Sequence, residues 1–260
     1  MIEAVHRRAP KLSINVLPLV GQGRAFDTAV EQGWLHRIGP SAALPSGGFS
    51  NQSLRGLLAD LSAGLPLLSW QQWLLVRRLG RGDTTVIAVG DLLPLLMAWS
   101  SGSNFGFIGT PKSDYTWRSG PGQAFSDRYH RLKGSEWDPW EWRLMQSARC
   151  RLVAMRDRLT ARGLRRKGVK ALAPGNPMMD GLEISPVPHA LQRCRRVLLL
   201  CGSRMPEAHR NFLRLTRAVL ALPAPVPVAL LVAVGNQPDA ARLNTTLADL
   251  GFRQSLPPSE

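Results

Sequence analysis

The sequence predicts an α/β protein built on parallel sheets. Short apolar runs rich in β-branched and aromatic residues alternate with stretches of helical length along most of the chain. This rhythm pauses near residues 181–195 and then restarts. We therefore expect two α/β lobes, 1–180 and 196–260, joined by a linker over 181–195, with ligands at the carboxyl ends of the strands in a cleft between the lobes.

The elements of the first lobe follow in order from these patterns. The opening MIEAVHRRAP reads as the end of a helix with no strand before it, so we expect this lobe to lack its opening strand. The later elements are a strand in SINVLPLV, a helical region near 52–80, a strand in TTVIAVGD, a helix from about Leu92, a strand in NFGFIGT, a helix over about 139–148, a strand in CRLVAMR, a short helix and VKALAPGN.

The second lobe has fewer elements. The sequence predicts a strand in VLLLCGS, a helix beginning near Pro206, a strand in VPVALLVAV and a helix over about 237–250. Two strands do not complete a sheet domain, and we expect this lobe to be incomplete.

Composition excludes several classes of protein. The longest apolar stretch, 218–234, is interrupted by Pro223, Pro225 and Pro227, which argues against a membrane span. The N-terminal apolar run has no small-residue cleavage site, so we expect a cytoplasmic protein. The three cysteines lack CxxC spacing, which favours reduced core thiols over disulfides or zinc ligands: Cys150, Cys194 and Cys201.

The charge indicates an anionic partner. Lys and Arg number 33 against 18 Asp and Glu, a net charge of +15, and basic residues crowd the segment 128–170. Nucleic acid, an anionic lipid surface, a phosphorylated substrate and a merely solvated basic face all fit. We rank nucleic acid last, because no zinc-finger, KH or RRM signature occurs and Trp137, Trp140 and Trp142 read as core residues.

Asp91 is the first candidate functional residue. It follows the apolar run VIAVG at the carboxyl end of a strand that reads as central, and a helix begins directly after it. Two interpretations stay open and are compatible: the carboxylate caps that helix, or it serves as a general base in a cleft.

Three loops are further candidates at strand ends. Gly202, Ser203 and Arg204 precede a predicted helix, an arrangement that binds anions such as a diphosphate but is also a common structural turn. The loop LPSGGFSNQS offers cleft-lining groups or a turn with a helix cap, and FIGTPKSDYTW offers a phosphate contact or an ordinary strand exit. The residues concerned are Ser46, Gly47, Gly48, Asn51, Thr110, Lys112 and Ser113.

Common hydrolase, P-loop and metalloprotease motifs are absent from the sequence. An ordered string of other motifs spans nearly the whole chain: LPLVGQG, IGP, LPSGGFSNQS, VIAVGD, FIGTPKSDY, SEWDPWEW, LAPGNPMMDGL and LLLCGSR. With this string the sequence resembles the lipid-A-disaccharide synthase-related proteins, glycosyltransferases with two Rossmann-like lobes of the GT-B type.

The resemblance implies a function and a set of site residues. It implies inverting transfer of an acylated glucosamine from a UDP-sugar to an acylated glucosamine phosphate, without metal or cofactor, at the inner face of the cytoplasmic membrane. It maps the catalytic base onto Asp91 and the donor phosphate site onto Gly202, Ser203 and Arg204. The family's opening strand and glycine-rich loop would lie before Met1, and its donor-binding glycine-rich segment after Glu260.

Two other classes of function remain open. The chain could be a non-catalytic remnant that keeps the fold and its basic face as an anion-binding or membrane-binding module. It could also bind nucleic acid through its charge, with a steep dependence on salt and no response to UDP.

Overall fold

The structure, a computed structural model, describes residues 2–45, 54–82, 84–118, 125–180, 182, 186–202, 205–223, 227–234 and 238–253. The chain divides into two compact units, residues 1–181 and 182–260. Every strand pairing in the described residues is parallel, and helices alternate with the strands, as the sequence predicts for an α/β protein.

The first unit opens with helices around a small sheet. The helix predicted at the N-terminus is present and ends at Arg8. Buried Gln72 ties a later helix to the loops after both strands, because its Nε2 donates to the carbonyls of Pro18, Leu19 and Pro40 at 3.1–3.3 Å. The elements are α1 (Ile2–Arg8), β1 (Asn15–Val16), a 3-10 turn (Arg24–Phe26), α2 (Asp27–Glu31), β2 (His36–Arg37), α3 (Leu54–Ser62) and α4 (Leu65–Leu79), with β1 paired to β2.

A four-stranded parallel sheet forms the rest of the first unit. Its strands lie in chain order, which requires a crossover between each pair. The elements are β3 (Val86–Gly90), α5 (Leu92–Ser100), β4 (Phe105–Gly109), α6 (Asp114–Arg118), α7 (Phe125–Lys133), α8 (Pro139–Met145), β5 (Cys150–Met155), α9 (Arg158–Arg166) and β6 (Ala171–Leu172), followed by a 3-10 turn (Pro177–Met179).

The core of this unit lies around β4. Phe105 and Phe107 are fully buried, and Trp137 packs edge-on against Phe107 with 5.5 Å between ring centroids. Gly109 makes this packing possible, since a Cβ there would lie 2.6 Å from Met155 Sδ and 2.8 Å from Trp137 Cζ2. Of the three tryptophans read as core residues, Trp137 is buried and Trp142 packs against the core, whereas Trp140 is 43% exposed.

In the described residues, the second unit contains a two-stranded parallel sheet and two α-helices. Leu199, Cys201 and Phe212 form its core with Val219 and Leu243. A 3-10 turn within the predicted linker precedes the first strand. The elements are that turn (His189–Leu191), β7 (Arg195–Leu199), α10 (Glu207–Leu220), β8 (Val228–Val232) and α11 (Ala240–Asp249).

Candidate functional site

Asp91 occupies the carboxyl end of β3, but its side chain does not cap α5. Its backbone takes the N-cap position with φ −118° and ψ −134°, and no cap hydrogen bond reaches the carboxylate. A cap accepts from the N–H of the second or third helical residue, and the third residue here is Pro94, which has no N–H. The capping interpretation is therefore wrong.

The Asp91 carboxylate is partly exposed and has no partner among the residues that the structure describes. It forms no hydrogen bond and no ion pair there. Gly90 sets the turn before it with φ +135°, and a Cβ at Gly90 would lie 3.0 Å from Pro94 Cγ. The Gly-Asp pair thus holds an available carboxylate at the end of a strand.

The strand that carries Asp91 is not central. In the described sheet β3 is an edge strand, and the side chains of Ile87 and Val89 are 50% and 43% exposed. An unbroken apolar run is typical of a strand buried on both faces, and β4 is the strand that shows this burial. Asp91 therefore stands at the border of the sheet beside Thr110, whose N–H donates to the Gly90 carbonyl at 3.3 Å.

The loop after β4 directs its polar side chains inward. Lys112 Nζ donates to Glu141 Oε1 at 2.6 Å and lies 4.8 Å from the centroid of the Trp137 ring. Ser113 Oγ donates to Asp157 Oδ2 at 2.8 Å. The phosphate contact of this loop stays a prediction, and Lys112 and Ser113 would have to leave these partners to make it.

Asp157 ends the loop after β5 and is fully engaged. Its Oδ1 accepts from the Thr160 N–H at 2.7 Å, which caps α9, and its Oδ2 accepts from the hydroxyls of Thr160 and Ser113. Thr160 Oγ1 in turn accepts from the Asp114 N–H at 2.9 Å. Buried Asp114 accepts from Ser135 Oγ and from the Glu136 N–H. These side chains form a structural network.

A capping box at the start of α8 completes this network. Glu141 accepts from the Asp138 N–H at 2.7 Å, and burial raises the pKa of Glu141, while Lys112 opposes the shift. Burial also acts to raise the pKa of Asp138, but the hydrogen bond and charge of Lys133 outweigh it and lower that pKa. The Asp138 hydrogen bond raises the pKa of Tyr129.

A basic cavity lies at the same edge of the sheet, and the sequence interpretation missed it. Its volume is about 420 Å³. It adjoins α9, which follows β5, and Ala173, which follows β6. The run RDRLTARGLRR, in which arginines recur on one helix face, could have indicated this cavity. The sequence pattern was instead interpreted only as part of the basic segment 128–170. The lining residues are Tyr115, Arg158, Leu159, Arg162, Arg165 and Ala173.

The predicted donor site is described only at Gly202. This residue is exposed just beyond β7 with φ +86°, and α10 begins five residues later at Glu207. The remaining members of the site and the first cleft loop lie outside the described residues: Ser203, Arg204, Ser46, Gly47, Gly48 and Asn51.

The cysteines are free thiols, as expected. Cys201 is buried, Cys150 and Cys194 are partly buried, and burial raises the pKa of Cys150 and of Cys201. In the part of the chain that the structure describes, no group of three or more His, Cys, Asp or Glu side chains could hold a metal ion. No described helix is both long and apolar enough to cross a membrane.

Comparison with known proteins yields no relative. No family model matches the chain, and no curated protein and no solved structure matches it. The site residues and the ordered motifs of the sequence are therefore the features that indicate a function.

Proposed function

We propose that the chain is a glycosyltransferase of the lipid-A-disaccharide synthase type. In this proposal it transfers an acylated glucosamine from a UDP-sugar to an acylated glucosamine phosphate. The observation that carries the proposal is the Asp91 carboxylate, which is available at the carboxyl end of β3 and serves neither as a cap nor in an ion pair with a described residue. The ordered motifs of the sequence supply the reaction class.

Asp91 has the chemistry of a general base for this reaction. Its carboxylate accepts the proton of the acceptor hydroxyl while that oxygen attacks the anomeric carbon of the donor. The bond from the anomeric carbon to phosphate breaks, UDP leaves with the electron pair, and the configuration inverts. The proton then passes from Asp91 to solvent. Arg204 and the start of α10 are the groups proposed to balance the charge of the departing UDP.

The test is a transfer assay with a UDP-linked acylated glucosamine as donor and an acylated glucosamine phosphate as acceptor. Asp91→Asn keeps the size of the side chain and removes the base, so we expect turnover to fall about 100-fold or more. UDP binding, measured by calorimetry, should stay unchanged. Near-normal turnover in the variant would exclude Asp91 as the base, and absence of transfer by the wild-type protein would exclude the function.

A peripheral contact with an anionic membrane is the second part of the proposal. On α7 the side chains of Phe125 and Leu132 are each 86% exposed, and Arg128 and Arg131 are exposed beside them. Exposed apolar groups flanked by arginines are typical of helices that lie in a lipid interface, where the positive charges meet anionic head groups. Such a contact would bring the enzyme to an acylated acceptor.

The membrane contact is tested by sedimentation with vesicles that contain phosphatidylglycerol. We expect Leu132→Ser and Arg131→Ala each to reduce binding severalfold, and added salt to reduce wild-type binding, because anionic lipid attracts the arginines. Leu67→Ser is the control, since Leu67 on α4 is 62% exposed but lies outside α7. The contact would be contradicted if salt did not change wild-type vesicle binding, or if Leu67→Ser reduced vesicle binding as much as the α7 variants.

A further inference from the structure

The exposed face of α9 carries a row of arginines. Arg158, Arg162 and Arg165 recur at i, i+4 and i+7, which places them on one side of the helix. The opposite side packs into the core through Ala161 and Leu164, both fully buried. Arg158 and Arg162 are therefore not needed to attach α9 to the sheet.

These side chains line a concave surface. The cavity of about 420 Å³ has its other walls in Tyr115 of α6 and in Ala173, just past the end of β6. This volume is in the range of small-ligand sites. The position is the carboxyl edge of a parallel sheet, where α/β proteins bind their ligands.

The positive charge in the cavity is not neutralised within the described chain. Arg158 and Arg162 form no ion pair with any described residue. Arg165 Nε donates to the Ala171 carbonyl at 2.6 Å, which fixes the guanidinium without pairing its charge. Two carboxylates lie against α9: Asp157, which caps it, and Asp114, whose N–H donates to Thr160. Both accept hydrogen bonds from Ser, Thr or backbone groups.

Helix stability does not explain the arrangement. Arg158 is the first residue of α9, where the helix dipole favours negative charge, and Arg162 repels it from one turn away. A bound anion removes both unfavourable effects. Guanidinium groups match it best when it offers several oxygens to their planar forks.

We propose that this cavity binds a terminal phosphate monoester. Such a group is close to dianionic at neutral pH and presents three oxygens to converging donors. A nucleic-acid backbone carries one charge per phosphate and requires an extended basic track rather than a single cavity. This assignment does not depend on transfer activity and is measured without it.

The test is calorimetric titration of the full chain with glucosamine 1-phosphate and with inorganic phosphate. We expect saturable binding at one site, no binding of glucosamine, which lacks the phosphate, and a dissociation constant raised about tenfold or more by Arg162→Ala. Arg166→Ala is the matched control, because Arg166 is exposed on the same helix and does not line the cavity. The control should stay within twofold of wild type. Circular dichroism checks that both variants are folded.

A second measurement identifies the source of the phosphate. Vesicles with phosphatidic acid carry the same monoester in a lipid head group, whereas vesicles with phosphatidylserine carry anionic charge without it. If the protein prefers phosphatidic acid vesicles and Arg162→Ala removes that preference, the source of the phosphate is a lipid. If the protein binds glucosamine 1-phosphate but not these vesicles, the source is a soluble molecule. The proposal is overturned if neither source binds saturably, if Arg166→Ala weakens binding as much as Arg162→Ala, or if only nucleic acid binds.

Discussion

Asp91 and Asp157 occupy equivalent positions in the sequence pattern, but their carboxylates differ in the hydrogen bonds that they accept. Each follows a parallel strand and precedes a helix. Asp157 accepts three hydrogen bonds, one from the Thr160 N–H and two from hydroxyls, whereas Asp91 accepts none from the described residues. The third residue of each helix contributes to this difference: Thr160 donates its N–H to Asp157, whereas Pro94 has no N–H to donate to Asp91. The Asp91 carboxylate does not cap its helix and has no partner among the described residues.

The largest expected change in stability comes from breaking the ion pair between Lys112 and Glu141. Lys112→Met leaves the carboxylate of Glu141, fully buried, without its cation, and should lower the free energy of unfolding by about 3 kcal/mol. Burial already raises the pKa of Glu141, so the loss should shrink as pH falls towards 4.5 and the group protonates. Urea denaturation at several pH values measures this.

Lys167→Met is the matched control for Lys112→Met. Lys167 also lies over a tryptophan, 5.0 Å from the Trp142 centroid, but pairs with no carboxylate among the described residues. It should change stability by less than about 1 kcal/mol. The double variant Lys112→Met/Glu141→Gln should recover part of the loss, and equal losses in single and double variants would contradict a coupled pair.

A smaller effect is expected at the capping box. Asp138→Asn keeps a side chain that can cap α8 but removes the charge paired with Lys133. Because the folded-state pKa of Asp138 lies below 3.8, its stabilisation is present above that pH and is lost as pH falls through the folded value. The variant should cost about 1 kcal/mol at pH 7, because the amide oxygen can still accept from Lys133, which also keeps its hydrogen bond to the Glu136 carbonyl. A cost that persists at pH 2 would contradict this charge effect.

The smallest effect concerns the thiols. Burial raises the pKa of Cys150 and Cys201, so both should react with a disulfide reagent at pH 8 at least about tenfold more slowly than an exposed thiol. Mass mapping of the labelled peptides assigns each rate. In guanidinium chloride the three cysteines should react alike. Fast labelling of Cys201 in the folded protein would contradict its place in the core of the second unit.

Much of the fold was predictable, because each element depends on local pattern. The helix from Leu92, the strands around VIAVG and FGFIG, and the last helix near residues 237–250 were placed within a few residues. The edge position of β3 was not predictable, since an apolar run does not show which strands will flank it. The helices α6 and α7 were not predicted, because α6 has only five residues and α7 is mainly polar.

The candidate site was predictable only in part. The position of Asp91 directly after a strand was predictable from the run VIAVG, whereas the absence of a side-chain cap was not. The pairing of Lys112 with Glu141 joins residues 29 positions apart, and no local pattern predicts which cation reaches a buried carboxylate. The arginine face of α9 was readable at i, i+4 and i+7, but only the fold places Tyr115 and Ala173 opposite it.

The most direct test of the account is a paired measurement on Asp91→Ala and Asp157→Ala. Each variant is examined for its free energy of unfolding in urea and for transfer of acylated glucosamine. We expect Asp157→Ala to lose about 2 kcal/mol with its cap and hydroxyl partners, and Asp91→Ala to stay within about 0.5 kcal/mol while transfer is abolished. If Asp91→Ala destabilises the protein like Asp157→Ala, or stays active, the carboxylate at the end of β3 is structural or idle and the account is wrong.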